Sequence, residues 1–357
     1  MSPVKAQPAV AALDSHRTLA ISPLLSPSLL RHELPADELV ADCVTRSRAE
    51  VVDVLDGRDD RLLVVVGPCS IHDPVAALDY AHRLAARAEQ LADRLLVVMR
   101  TYFEKPRSTV GWKGLVNDPG LDESFDVNRG LRTARALLLD VLSLGLPVGC
   151  EFLDPITPQY ISDLVTWGSI GARTAASQVH RQLVSGLSMP VGIKNGTDGD
   201  VQVAVDAVRA ASTRHVFMGI NPDGLAALIS TSGNPDAHII LRGGSRGPNY
   251  GAADVSAALD RLTEAGLPRR VIVDASHGNS GKDHVRQAEV VADLAARIAE
   301  GDRDVTGIMM ESFLVPGRQD LGPDMAYGQS VTDACMGWDT TSALLDELAA
   351  AVARRRG

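Results

Sequence analysis

Eight short apolar runs restrict the fold of this 357-residue chain more than any other feature. They cover residues 62–67, 95–99, 147–151, 168–173, 190–194, 238–242, 271–274 and 305–311, and most are separated by helical stretches. Strands covered on both faces need continuous rather than alternating apolar character, and such strands alternate with helices in parallel sheets. Eight of them predict an α/β fold, a closed (β/α)8 TIM barrel. The segments between carry helix signals. Asp73 followed by Pro74 offers an N-cap and a preorganised first position for a helix whose apolar stripe runs Val75, Leu78, Ala81, Leu84, Ala85, Ala88, Leu91. A helix over about 127–144 stops at Gly145. A last one, about 341–355, runs into three arginines, which suits the negative end of its dipole.

Two departures from the rhythm predict additions to the barrel, which itself is expected over 61–357. Residues at about 215–231 read as an inserted β-hairpin before the sixth strand, with its turn at Asn221-Pro-Asp-Gly224. Residues 1–60 read as an N-terminal extension. Prolines at 3, 8, 23, 27 and 35 suggest an extended arm, and a helix follows over about 36–56 with apolar Leu39, Val40, Cys43, Val44, Val51, Val52 and Leu55. This extension is expected to pack away from the barrel, on another subunit, and to serve regulation.

In a parallel barrel the chemistry lies where strands end and βα loops begin. The eight ends carry Cys69, Arg100, Glu151, Arg173, Lys194, Arg242, His277 and Glu311. Just past Arg100, the stretch through Lys113 adds Lys105, Arg107 and Lys113. Arg100, Lys105, Arg173, Lys194 and Arg242 are therefore expected to converge on one mouth. Arginine recognises phosphate or carboxylate in a planar, bidentate way and lysine supplies a point charge, so the pocket would suit a ligand bearing both groups. A second set, Cys69, His277, Glu311 and Asp333, offers a thiolate, an imidazole and two carboxylates. That is a donor set for a divalent transition metal.

Composition excludes several classes. With 45 acidic and 35 basic residues the formal net charge is −10, which argues against a nucleic-acid surface. No apolar run approaches the roughly 18 residues of a membrane span, and the first residues show no signal-peptide core. Cys43, Cys69, Cys150 and Cys335 do not form a disulfide framework, so reduced thiols and a cytoplasmic location are expected. The stretch 276–282 superficially matches a P-loop but lacks the first glycine, and Asp283 stands where Ser or Thr is needed.

The ordered motifs Gly67-Pro-Cys-Ser-Ile-His-Asp73, Arg100-Thr-Tyr-Phe-Glu-Lys-Pro-Arg107, Gly111-Trp-Lys-Gly114, Gly171-Ala-Arg-Thr174, Lys194-Asn-Gly-Thr-Asp198, Leu241-Arg-Gly-Gly244 and Asp274-Ala-Ser-His277 resemble type I 3-deoxy-D-arabino-heptulosonate 7-phosphate (DAHP) synthase. The resemblance runs from about residue 15 to the end. It implies condensation of phosphoenolpyruvate with erythrose 4-phosphate, dependent on a divalent metal, with manganese favoured and iron, cobalt or zinc compatible. Residue by residue it implies Cys69, His277, Glu311 and Asp333 as metal ligands. It places Arg100, Lys105, Arg173, Lys194 and Arg242 around phosphoenolpyruvate, with Arg173 and Arg242 on its phosphate. Lys105, Pro106, Arg107 and Ser108 match the erythrose 4-phosphate loop, where Ser108 replaces the usual Thr. Catalytic roles fall to Lys105 as proton donor, Glu151 as positioner of water, and His277. The resemblance further implies feedback inhibition by an aromatic amino acid bound near Pro155, Gln159, Ser188, Phe217 and Gly219. Pro155 and Gly219 match tyrosine-sensitive members best. A homodimer or homotetramer is expected.

Overall fold

The computed structural model describes residues 17–107 and 109–357. Among these, eight parallel strands close into a barrel. They are β1 (Leu62–Gly67), β2 (Leu95–Arg100), β3 (Val148–Glu151), β4 (Trp167–Ile170), β5 (Val191–Lys194), β8 (His238–Leu241), β9 (Val271–Asp274) and β10 (Gly307–Glu311). Neighbours follow chain order, and β1 closes the ring by pairing with β10 on one side and β2 on the other. Every barrel-strand residue is buried, which is why these runs read as continuously apolar.

Strand pleating decides which side chains enter the barrel. Leu63, Val65, Leu96, Val98, Trp167, Ile240, Ile272 and Met309 form one inner cluster. One pleat further along β2, β9 and β10 stand Arg100, Asp274 and Glu311, and Lys194 stands two residues past Gly192 on β5, so alternation alone turns charged side chains into the mouth. Trp167 fills the lower interior, and the two neighbouring strands, β3 and β5, make room with glycine. A Cβ at Gly192 would stand 2.9 Å from its ring, and one at Gly149 would stand 3.1 Å away.

The lower end is sealed by the helix Glu38–Leu55, whose Val51, Val54 and Leu55 join the inner cluster. This corrects the expectation that the stretch packs away from the barrel: its apolar face is spent on its own chain. The arm before it is only partly extended. Residues Pro27–Glu33 are helical, because Ser26 caps the Leu29 N–H and Pro27 occupies a first-turn position where it starts a helix rather than breaking one. Pro3 and Pro8 lie outside the described residues.

The expected hairpin is present as β6 (His215–Ile220) and β7 (Ala226–Thr231), antiparallel and outside the barrel. Its turn is fixed by Asn221 Oδ1, which accepts from the N–H groups of Asp223 and Leu225, and by Gly224 at φ +80°. The turn rests on the arm of the same chain, where the Ser28 N–H donates to Pro222 O at 2.7 Å. A further small parallel pair, β11 (Val315–Arg318) with β12 (Gln329–Ser330), was not expected from the sequence. The fourth barrel strand ends at Ile170 rather than Arg173, and the last begins at Gly307 rather than Val305. Among the described residues no helix is long and apolar enough to cross a membrane.

Candidate active site

The mouth of the barrel encloses a cavity of about 250 Å³. Its lining includes Arg100, Lys105, Pro106, Arg107, Glu151, Arg173, Lys194, Arg242, His277, Glu311 and Asp333. The structure thus brings together the described substrate-site residues named from the sequence; Ser108 lies outside the described residues. Arg100 and Lys194 are strand-terminal and buried, and Arg242 directly follows β8. Arg173 sits three residues past β4, exposed in the turn that follows it.

Buried charge at the floor is paired. Arg100 Nη2 donates to Glu311 Oε1 at 3.0 Å, and its guanidinium lies 4.1 Å from the centre of the Tyr102 ring. Arg100 Nη1 is buried and has no partner among the described residues, which leaves one strong donor for a ligand. Lys194 Nζ stands 3.6 Å from Glu151 Oε1 and 3.5 Å from Asp274 Oδ2. Burial works against the Glu151 charge, but Lys194, Lys105 and Arg100 outweigh it and hold its carboxyl below the usual range. Lys105 Nζ donates to Cys69 O at 3.1 Å and lies 3.0 Å from Cys69 Sγ. Burial opposes its charge too, and Cys69, Glu311 and Glu151 nevertheless raise its pKa. Lys105 is therefore a cation held over a thiol.

Ligand atoms of Cys69, Glu311 and Asp333 all lie within 4.8 Å of one another. Two donors on a common ion, each about 2.0–2.3 Å from it, stand no further apart than about 4.6 Å, so this trio fits one ion with little adjustment. His277 is close but outside that group: its Nε2 is 3.9 Å from Glu311 Oε1. Its ring is oriented as a ligand's would be. Nδ1 is 2.9 Å from Asp274 Oδ2 and 2.7 Å from Ser276 Oγ, which leaves Nε2 free. His277 is also held at φ +56°, a strained setting for a side-chain-bearing residue. A thiolate, two carboxylates and a free imidazole nitrogen form a chemically consistent divalent-metal set.

Sequence reasoning missed Tyr102, Thr197, Lys282 and Thr332, which also line the cavity. Tyr102 lies inside a quoted motif, and only the ring beneath Arg100 distinguishes it from core. Lys282, in the stretch dismissed as a failed P-loop, has Nζ 3.3 Å from Asp333 Oδ1.

Glu104, beside Lys105, is buried and accepts from the Asp154 N–H at 3.1 Å and from Thr157 Oγ1 at 3.2 Å. Burial pushes its carboxyl up to about 8. A carboxyl raised in the folded state binds more protons than in the unfolded chain. Its contribution is complete below the unfolded value and is lost as pH rises towards 8. Glu104→Gln should match the wild type in melting temperature near pH 5 and exceed it above pH 8. Melting curves across that range check this.

A cavity of about 690 Å³ beside the hairpin includes Gln159, Ser188 and Phe217 in its lining. Pro155 and Gly219 lie outside the lining of that cavity. At Gly219 an added Cβ would stand 2.9 Å from Ile229 Cγ1, so a side chain there would crowd the hairpin.

Comparison with known proteins gives a consistent result. The family model described as the DAHP synthetase I family matches residues 37–346. A phospho-2-dehydro-3-deoxyheptonate aldolase of Escherichia coli, named Phe-sensitive, is 55% identical over 96% of this chain and 99% of its own length. One of Schizosaccharomyces pombe, named tyrosine-inhibited, is 50% identical over 96% of this chain and 94% of its own. The solved structure of the Francisella tularensis phospho-2-dehydro-3-deoxyheptonate aldolase superposes with a TM-score of 0.93 at 48% identity, covering 95% of this chain and 99% of that one.

Proposed function

The chain belongs to the DAHP synthetase I family, and from that premise we propose that the basin at the barrel mouth is where it acts. The enzyme is a DAHP synthase. It condenses phosphoenolpyruvate with erythrose 4-phosphate and water, giving DAHP and phosphate, at the entry to the shikimate pathway and aromatic amino acid biosynthesis. One observation carries the assignment of the site. In a chain of net charge −10, Arg100, Lys105, Arg173, Lys194 and Arg242 border one cavity together with Glu311 and Asp333, which with the buried Cys69 form a metal-capable trio.

Arg173 and Arg242 hold the phosphate of phosphoenolpyruvate, and Lys194 and the free Nη1 of Arg100 fix its remaining charge. That orients carbon 3 towards the aldehyde carbon of erythrose 4-phosphate, whose phosphate end is taken by Pro106, Arg107 and Ser108. Cys69, His277, Glu311 and Asp333 would hold the divalent ion, manganese favoured over iron, cobalt or zinc. When bound, it polarises the aldehyde oxygen as a Lewis acid. As the carbon–carbon bond forms, the Lys105 ammonium gives its proton to the developing alkoxide. Glu151, kept ionised by its three cationic neighbours, accepts a hydrogen bond from the water that adds at carbon 2. One proton of that water restores the Lys105 ammonium, and the other leaves with the phosphate as the carbon–oxygen bond at carbon 2 breaks and the added hydroxyl becomes the ketone.

A coupled assay with both substrates tests the reading. Phosphate release should require erythrose 4-phosphate, cease with chelator and return with added manganese. Turnover with arabinose 5-phosphate in its place would assign the neighbouring octulosonate chemistry instead.

We further propose that the hairpin cavity takes an aromatic amino acid, with tyrosine favoured only by the resemblance of Pro155 and Gly219 to tyrosine-sensitive members, since neither lines the cavity, and that the enzyme works in the cytoplasm as a homodimer or homotetramer. Relatives named Phe-sensitive and tyrosine-inhibited stand at similar identity, so overall likeness does not choose the effector. Tyrosine should inhibit. Phe217→Ala should weaken that inhibition by about ten-fold or more, the usual scale for a buried aromatic anchor, without changing uninhibited turnover. Inhibition curves for the three aromatic amino acids on both proteins decide it.

A further inference from the structure

Three βα loops of the mouth meet backbone to backbone. They follow β5, β8 and β9; Lys194 is the last residue of β5, and Arg242 and His277 lie in the second and third loops. The contacts leave no room for side chains. A Cβ at Gly244 would stand 2.1 Å from Gly199 N, and one at Gly278 would stand 2.5 Å from Gly244 N. A Cβ at Gly243 would stand 2.5 Å from Asn279 N, and Gly243 holds φ +69°.

Three buried asparagines tie this junction together, one from each loop: Asn195, Asn249 and Asn279. Asn249 is the hub. Its Oδ1 accepts from the Gly243 N–H at 2.7 Å, its Nδ2 donates to Asn195 Oδ1 at 3.2 Å, and its own N–H donates to Asn279 Oδ1 at 2.8 Å. Asn195 Oδ1 also accepts from the Arg242 N–H at 2.8 Å. On the other side, Arg242 O accepts from the N–H groups of Gly278 at 2.9 Å and Asn279 at 3.2 Å. The main chain of Arg242 is thus gripped from both neighbouring loops just beyond the last residue of β8.

We propose that Asn249 is a positioning residue for phosphoenolpyruvate: it fixes the backbone from which Arg242 reaches the phosphate and registers that backbone against the loops of Lys194 and His277. This rests on the assignment of Arg242 to the phosphate. The choice of amides has a chemical reason. An asparagine can accept from a main-chain N–H and donate to its neighbour without placing negative charge beneath a pocket for an anion. An aspartate would keep the first bond, lose the second and oppose the ligand's charge.

The test is a double-mutant cycle on Asn249→Ala and Arg242→Lys, with Asn249→Asp as the near-isosteric variant should the alanine not fold. Phosphoenolpyruvate binding is read by calorimetry on the metal-loaded enzyme, with KM, kcat and melting temperature read alongside. Losing aim costs affinity rather than chemistry. Asn249→Ala should raise both Kd and KM for phosphoenolpyruvate by about ten-fold, the scale of a buried hydrogen bond lost at a charged contact, with kcat changed less than about three-fold. In the Arg242→Lys background the same substitution should cost less than about two-fold, because residues acting through one another are not additive. Asn249→Asp should lower affinity in the same direction. An unchanged Kd in either Asn249 variant, or an equal loss in both backgrounds, overturns the proposal. Wild-type enzyme that binds no phosphoenolpyruvate overturns the assignment of the site instead.

Discussion

Lys105→Ala should lower kcat by about three orders of magnitude, the middle of the range for a general acid, and leave metal affinity intact. Among the described residues nothing else in the mouth duplicates its position. Its Nζ lies over the Cys69 thiol at 3.0 Å, whereas the other floor cations are committed to carboxylates: Arg100 to Glu311 and Lys194 to Glu151 and Asp274. Its loop stays in place when the side chain is cut, because the Lys105 N–H donates to Lys113 O at 2.9 Å and the neighbouring Glu104 is anchored on Asp154 and Thr157. The metal trio loses a nearby cation and no ligand atom, so metal binding is held or strengthened. Lys105→Arg should not restore turnover, because a planar guanidinium on a longer side chain does not place its donor where the ammonium stands over Cys69. Metal titration by calorimetry beside the coupled assay checks both halves. An alanine variant with about a tenth or more of wild-type turnover would remove Lys105 from the proton transfer.

The barrel was legible because of burial. Strands such as 62–67 and 271–274 are covered on both faces, so their apolar runs coincide with the observed β1 and β9. The fourth run reads as 168–173 whereas β4 spans Trp167–Ile170, because a continuous apolar run does not mark where pairing starts or stops. The small β11–β12 pair left no mark: it contains Pro316, its register is interrupted, and β12 has only two residues. The helix Pro27–Glu33 was hidden by reading Pro27 as a breaker when it starts a turn capped by Ser26.

The site was legible for a different reason. A charged residue at the end of an apolar strand is costly unless it faces a mouth, so Arg100, Lys194 and Glu311 announced themselves. Residues whose value comes from contacts could not. Tyr102 counts only because Arg100 lies over its ring. Asn249 counts only because two other loops converge on its amide, and a lone asparagine in a glycine-rich turn reads as turn chemistry.

Glu311 joins the two halves of the site, so its removal should have the second largest effect. It is buried at the end of β10, where it belongs to the metal-capable trio and is the carboxylate paired with Arg100. Glu311→Ala removes a metal ligand and leaves a buried guanidinium without its counter-charge, a loss of about 3–5 kcal/mol when one partner of a buried pair is deleted. Glu311→Gln separates the two consequences. A glutamine oxygen can still accept from Arg100, and the strand cannot drift, because Gln287 holds the main chain of residue 311 through both its N–H, at 2.7 Å, and its carbonyl, at 2.9 Å. The alanine variant should therefore melt well below the wild type and bind metal poorly. The glutamine variant keeps the hydrogen bond to Arg100 but not the counter-charge, so it should melt between the alanine variant and the wild type, and it should still lose metal affinity by about a hundred-fold or more, since even residues that only support a ligand cost 10- to 100-fold. Turnover should be lost in both at ordinary metal concentrations. Melting curves in chelator and metal titrations on the two proteins decide the matter. A glutamine variant that binds metal as tightly as the wild type would take Glu311 out of the ligand set and leave it as the partner of Arg100.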